Sequence, residues 1–171
     1  MTAAHAALLL VDLQQRLMPA IADGEKVIAR SVRLAEAATL LGVPVLATEQ
    51  VPEKLGPTVE RLAGYPHLVS PKSRFAADGS GLVPPGRSEI VVAGAEAHVC
   101  VLQTVLTLAA DGHRVLVVAD AVGSRDPQDR AAALERARAA GAAIVTSEMV
   151  LFEWLGDATH PRFREVQKLL K

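Results

Sequence analysis

Two kinds of apolar pattern alternate along the chain. Residues 7–11 (ALLLV) are apolar without interruption, as in a strand covered on both faces. Residues 26–41 carry Val27, Ile28, Val32, Leu34, Ala35, Ala38 and Leu41 at helical spacing, and Gly42 ends the run. A second strand is predicted at 43–47, with Pro44 tolerable near its start. Residues 49–64 read as a loop with a short helix at 58–62. A short third strand at 67–70 runs into Pro71, Lys72 and Ser73. Residues 75–86 hold five glycines and prolines in twelve positions and read as loop. The fourth strand is predicted at 89–93, a helix at 99–110 closed by Gly112, and the fifth strand at 114–119. Asp126 and Pro127 suit an N-cap and a first helical residue, opening a helix to 140. A sixth strand at 143–146 and short helices at 149–155 and 161–170 follow.

Strands alternating with helices imply a parallel sheet with helices on both faces, joined by right-handed crossovers. The expected fold is α/β: a three-layer α/β/α sandwich with a six-stranded parallel sheet, order 3-2-1-4-5-6, of Rossmann-like form. The 171 residues fall within the roughly 100–200 of one domain. No linker, repeat or composition break divides them, so one domain over 1–171 is expected.

Composition narrows the picture. Half the residues are apolar but only 3% are aromatic, so the core must be built from Ala, Val and Leu. With 18 basic and 19 acidic residues the net charge is −1. That balance gives no basic bias toward nucleic acid. It also leaves self-association unopposed by charge. The single cysteine excludes an intrachain disulfide and a multi-cysteine zinc site, and suits a reducing, cytoplasmic setting. The first apolar run is too short for a signal-peptide core or a membrane span, so no membrane partner is expected.

In open parallel sheets ligands bind beyond the carboxyl ends of the strands, where strand order reverses. Strand one ends at Asp12, strand three at Lys72, and strand four leads through Gly94 and His98 to Cys100 at a helix start. In the order 3-2-1-4-5-6, Asp12 and Cys100 flank one crevice and Lys72 reaches in. A free thiol has a pKa of ~8.5. A helix N-terminus and a nearby ammonium both favour its thiolate. An aspartate in reach can take the thiol proton and pass it to a leaving group. Backbone N–H groups in the turn before Cys100 are placed for an oxyanion, worth roughly 3–4 kcal/mol per donor in other enzymes. Each residue also has a plainer reading. Cys100 can be a small buried hydrophobe, Asp12 a cap, Lys72 a solvated surface lysine and His98 an ordinary first-turn residue.

The segments LLLVDLQQRL, TEQVPEKLG, PKSRF, VAGAEAHVCVLQT and VVADAVGSR resemble the isochorismatase-like cysteine hydrolases, and the likeness continues through TSEMVLFEWLGDATHPRFREVQKLLK. It is closest to the isochorismatase-domain-containing branch. The resemblance implies a hydrolase acting on a small amide, imide or related C–N substrate through a thioester-type intermediate. Its triad falls on Asp12, Lys72 and Cys100. It also implies a non-proline cis peptide between Ala95 and Glu96, aiming the Glu96 and Cys100 N–H groups at the oxyanion. Glu49, Gln50, Ser73, Phe75 and His98 are candidate substrate-binding residues by position.

The departures matter too. Nicotinamidases, a sister group, place an aspartate and histidines after strand two to bind a metal. Here Thr48, Glu49 and Gln50 stand there, and Ala97 stands where those enzymes often have Thr. No metal and no cofactor are expected. The family name does not make isochorismate the substrate.

Three rival readings remain. A non-catalytic scaffold could keep the fold. Dinucleotide binding lacks its G-x-G-x-x-G after strand one. The DGSGL segment around Ser80 is not a serine-hydrolase elbow. Residues 149–155 (MVLFEWL) are apolar nearly all round, with Phe152 and Trp154 on different sides. That leaves room for a subunit interface, and a homo-oligomer is expected.

Overall fold

The uninterrupted apolar runs become strands covered on both faces. In the computed structural model, which describes residues 1–79 and 81–170, β1 (Ala6–Val11) is buried at every position. Ser80, the serine of the DGSGL segment, lies outside the described residues. The chain continues through α1 (Gly24–Leu40), β2 (Val45–Gln50), α2 (Pro52–Leu55), α3 (Glu60–Ala63), β3 (Leu68–Lys72) and β4 (Glu89–Ala95). Then come α4 (Leu102–Ala110), β5 (Arg114–Gly123), α5 (Pro127–Ala139), β6 (Ala143–Val145), α6 (Ser147–Leu155) and α7 (Phe163–Lys168). The strands form one parallel sheet in the order β3-β2-β1-β4-β5-β6. The central pair β1 and β4 therefore meets where strand order reverses, as predicted.

Alternation along β1 sorts the core into two layers. Ala6, Leu8 and Leu10 pack with Leu34 and Ala38 of α1, Leu151 of α6 and Val166 of α7. Ala7, Leu9 and Val11 pack with Val105 and Leu108 of α4 and Ala133 and Ala137 of α5. Small and aliphatic side chains fill both layers, which follows from the scarcity of aromatics. Among the described residues no helix is long and apolar enough to cross a membrane.

The largest departures from the sequence reading lie at the carboxyl ends of the strands. β2 continues through Thr48 and Glu49 to Gln50, beyond the predicted end at 47, because Thr48 pairs with Ser70 and Gln50 with Lys72. β3 accordingly includes Lys72, and β4 runs to Ala95. β5 runs to Gly123, with a register irregularity against β4 between Val92 and Gly94. The helix predicted from residue 99 is divided: Ala97–Val101 form a π-helical turn, and α4 begins at Leu102. Such turns recur at functional sites. Asp126 caps α5 as predicted, accepting the Gln128 N–H. Thr146 caps α6, so β6 stops at Val145.

Candidate active site

The chain leaves β1 by a sharp turn. Asp12 has φ 51°, in the left-handed region that aspartate tolerates better than most residues. Its backbone N–H donates to the Thr48 carbonyl at 3.1 Å, and its side chain is fully buried. Burying a carboxylate is costly unless its oxygens find partners. Here Thr48 Oγ1 donates to Asp12 Oδ1 at 2.7 Å, and Lys72 Nζ donates to Oδ2 at 2.7 Å.

Lys72 is held just as firmly. Its ammonium also donates to Gln50 Oε1 at 2.7 Å and to the Phe75 carbonyl at 3.1 Å, with the Arg74 carbonyl at 3.4 Å. The surface-lysine reading is excluded, since the side chain is only 9% exposed. Gln50 links the pair to the thiol. Its Oε1 lies 4.0 Å from Cys100 Sγ, and its Nε2 donates to the Ser73 carbonyl at 2.8 Å. Four strand ends thus bring a carboxylate, an ammonium, an amide and a thiol into one buried network.

The thiol does not behave as the sequence argument expected. A lowered pKa was predicted from the helix start and Lys72. Instead burial pushes the Cys100 thiol up to about 12. Asp12 pushes in the same direction, and Lys72 opposes them only in part. The reason is geometric: Cys100 is 6% exposed, and the ammonium facing it already belongs to Asp12. At neutral pH the resting group is a thiol facing a carboxylate. That arrangement can transfer a proton as the sulfur attacks, but it does not store a thiolate.

The other predicted residues divide. Gln50 is part of the network. Ser73 and Phe75 contribute backbone carbonyls to it, while the Phe75 side chain is exposed. Glu49 faces away into the loop, where its Oε1 accepts from the Thr58 N–H and Oγ1 at 2.7 and 2.8 Å. His98 turns toward β5 and α5, with Nδ1 3.0 Å from Ser124 Oγ and Nε2 3.5 Å from Asp129 Oδ2. The Glu96 carboxylate accepts from Arg125 Nε at 2.9 Å, and its carbonyl accepts the N–H groups of Val99 and Val101. The Ala95–Glu96 peptide is cis.

A groove of about 620 Å³ runs along β3 and the following loop, with Thr48 and Lys72 in its wall. Of the five predicted pocket residues, Ser73 alone lines it among the described residues. No cluster of His, Cys, Asp and Glu suited to a metal is found among the described residues.

Gln14 escaped the sequence reading. Fully buried, it accepts from the Gln50 N–H at 2.8 Å and donates to the carbonyls of Gln50 and Gly56 at 3.1 and 2.6 Å. It clamps the end of β2. Each buried group left unpaired costs about 1–3 kcal/mol. Gln14→Met, of similar shape, is therefore expected to lower unfolding stability by about 3 kcal/mol or more. A urea melt of the variant checks this, and a loss below about 1 kcal/mol would show the clamp to be dispensable.

Comparison with known proteins agrees with this architecture. The isochorismatase domain model matches residues 6–149. Isochorismatase domain-containing protein 1 from Salmo salar is 40% identical over 167 residues, covering 94% of this chain. This chain spans only 59% of that relative's length. Isochorismatase domain-containing protein 2A from Mus musculus is 39% identical, with 96% of this chain and 82% of the relative covered. Among solved structures, MAR1 ribonuclease from Caenorhabditis elegans superposes with a TM-score of 0.93 at 36% identity, covering 99% of this chain and 91% of its own. YcaC from Pseudomonas aeruginosa, solved with hexane-2,5-diol and covalent acrylamide, gives 0.88 at 26% identity, covering 99% and 90%. YcaC from Escherichia coli, described as an octameric hydrolase of unknown specificity, gives 0.84 at 25%, covering 98% and 94%. By sequence match over most of its length and by sheet order, the chain belongs to the isochorismatase family of hydrolases.

Proposed function

We propose that this protein is a cysteine hydrolase that cleaves a small amide, imide or related C–N bond through a thioester at Cys100. The observation that carries the reading is the buried hydrogen-bonded pair of Asp12 and Lys72 set against the chain's one thiol. Ion pairs are seldom buried for stability alone, because desolvation cancels much of their attraction.

In the proposed cycle, Asp12 takes the thiol proton while Sγ attacks the substrate carbonyl carbon. Charge moves to the carbonyl oxygen, which the N–H groups of Glu96 and Cys100 are assigned to receive. Lys72 stabilises negative charge on the sulfur and holds the Asp12 carboxylate in place. The C–N bond breaks, the Asp12 proton leaves on the nitrogen, and a thioester remains. Water then attacks the thioester carbon and gives a proton to Asp12. The C–S bond breaks, the sulfur recovers the proton and the acid is released. No cofactor takes part in this cycle.

The depth of the thiol favours one alternative, a scaffold that retains the fold without turnover. Acrylamide, found covalently attached in the P. aeruginosa relative, tests whether the thiol can be reached, and turnover separates the two readings. Mass spectrometry of the treated protein is expected to find one adduct, on the Cys100 peptide. Hydrolysis of small amides or aryl esters is expected in the wild type and not in Cys100→Ala. Absence of turnover in the wild type would leave the scaffold reading, and equal turnover in Cys100→Ala would remove Cys100 as the nucleophile.

The same reading includes self-assembly. Met149 and Phe152 on α6 are 47% and 41% exposed, a large apolar pair on a helix whose Val150, Leu151, Trp154 and Leu155 are buried. The E. coli relative is octameric. Light scattering is expected to give a mass above the 18.0 kDa of one chain. A monodisperse monomer at micromolar concentration would remove this part of the proposal.

A further inference from the structure

A second cavity, of about 460 Å³, opens between α1 and the carboxyl end of β5, and Cys100 is not among the residues that line it. That volume is in the range of small-molecule sites. Lys26, Arg30 and Arg33 line it from one stripe of α1, at i, i+4 and i+7. Arg130 faces them from α5. Four cations therefore meet two carboxylates, Asp23 and Asp120, in the same wall.

The carboxylates are already occupied. Asp23 pairs with Lys26 at 2.9 Å. Asp120 accepts the N–H and hydroxyl of Ser147 at 2.7 and 2.6 Å, and Arg30 Nε lies 3.4 Å away. Arg130 donates to the carbonyls of Val122 and Ala119, bonds that orient the guanidinium without neutralising it. Arg33 is half-buried and has no carboxylate within ion-pair distance among the described residues. Burial and its neighbour Arg30 both push its pKa down, with Asp120 and Glu148 acting against them. Positive charge is thus concentrated in a concave site whose remaining wall includes Val27, Val122 and Pro127.

We propose that this cleft binds a small organic dianion, with Arg30, Arg33 and Arg130 around its charged end and Val27, Val122 and Pro127 against its apolar body. Guanidinium groups suit both phosphates and carboxylates, because their planar forks make paired charge-assisted hydrogen bonds. A phosphate ester and a dicarboxylate share the required chemistry. The site is independent of the Cys100 reaction and stands whether or not that reaction occurs.

Calorimetric titration at fixed ionic strength tests it, with inorganic phosphate and succinate as probes and acetate and chloride as monoanion controls. One dianion is expected to bind saturably, and the controls are not. Arg33→Gln and Arg30→Gln are each expected to weaken that binding by about tenfold, as for loss of one charge-assisted contact. Lys54→Gln, which removes a cation elsewhere, is expected to leave it unchanged. Tighter phosphate would assign a phosphate ester; tighter succinate, a dicarboxylate. Binding no stronger than acetate, or weakened equally by Lys54→Gln, would overturn the proposal.

Discussion

Asp12→Asn is expected to speed alkylation of Cys100 and to suppress hydrolysis in the same protein. The two effects have one origin. In the wild type, burial and the Asp12 carboxylate hold the thiol up at about 12, so the thiolate is scarce at neutral pH. Asparagine removes the negative charge and leaves burial alone to oppose Lys72, so the thiol's pKa falls. Below the thiol's pKa, each unit by which that pKa falls raises the thiolate fraction tenfold. Iodoacetamide labelling at about pH 8 is therefore expected to accelerate by about tenfold or more. Hydrolysis needs the carboxylate to accept and return a proton, and is expected to fall by about 10²–10⁴. The variant has reason to fold, because Lys72 keeps the Gln50, Arg74 and Phe75 oxygens as acceptors. The wild-type labelling rate is expected to keep rising with pH well beyond ~8.5, the value of an ordinary thiol. If alkylation and hydrolysis fell together in Asp12→Asn, the role of Asp12 would be to hold the site's shape rather than to move a proton.

This contrast also marks where sequence reasoning succeeds and where it stops. The meeting of Asp12, Lys72 and Cys100 was legible because each stands at or just beyond the end of a strand, and parallel topology brings strand ends to one rim. The parallel sheet was legible from apolar runs separated by helical periods, and its order was one of the few arrangements such a pattern allows. The sign of the thiol's shift was not. It depends first on how deeply the thiol is buried and then on whether the lysine charge is already paired, as the 2.7 Å contact with Asp12 shows.

As members of β2, Thr48 and Gln50 were obscured by their own polarity, although Gln50 was expected in the site. TEQ reads as the start of a loop, yet β2 carries it into the sheet, where Asp12 and Gln14 satisfy its polar groups. Buried polar residues of this kind are set by partners distant in sequence, which local patterning does not register. Glu49 and His98 err in the opposite direction. Both stand at the predicted rim, but alternation and the π-helical turn direct their side chains to Thr58 and to Ser124.

The position that joins fold to site most tightly has no side chain. Gly94 pairs with Val11, the residue before Asp12, and has φ +135°. A Cβ there would lie 2.1 Å from the Val11 oxygen and 2.7 Å from its nitrogen. Those atoms belong to the central strand and cannot rotate away as a side-chain tip would. Gly94→Ala is therefore expected to cost more than about 4 kcal/mol, enough to unfold many domains of this size. Gly112→Ala supplies the control. Its φ of +87° is also unfavourable for alanine, but no atom lies within 4 Å of the added carbon. Its expected cost is about 1–2 kcal/mol, the conformational term alone. Urea melts of the two variants separate backbone preference from collision. Equal losses would mean that β1 and β4 can part without penalty. Asp12 would then lack the rigid footing on which its contact with Lys72 and Cys100 depends.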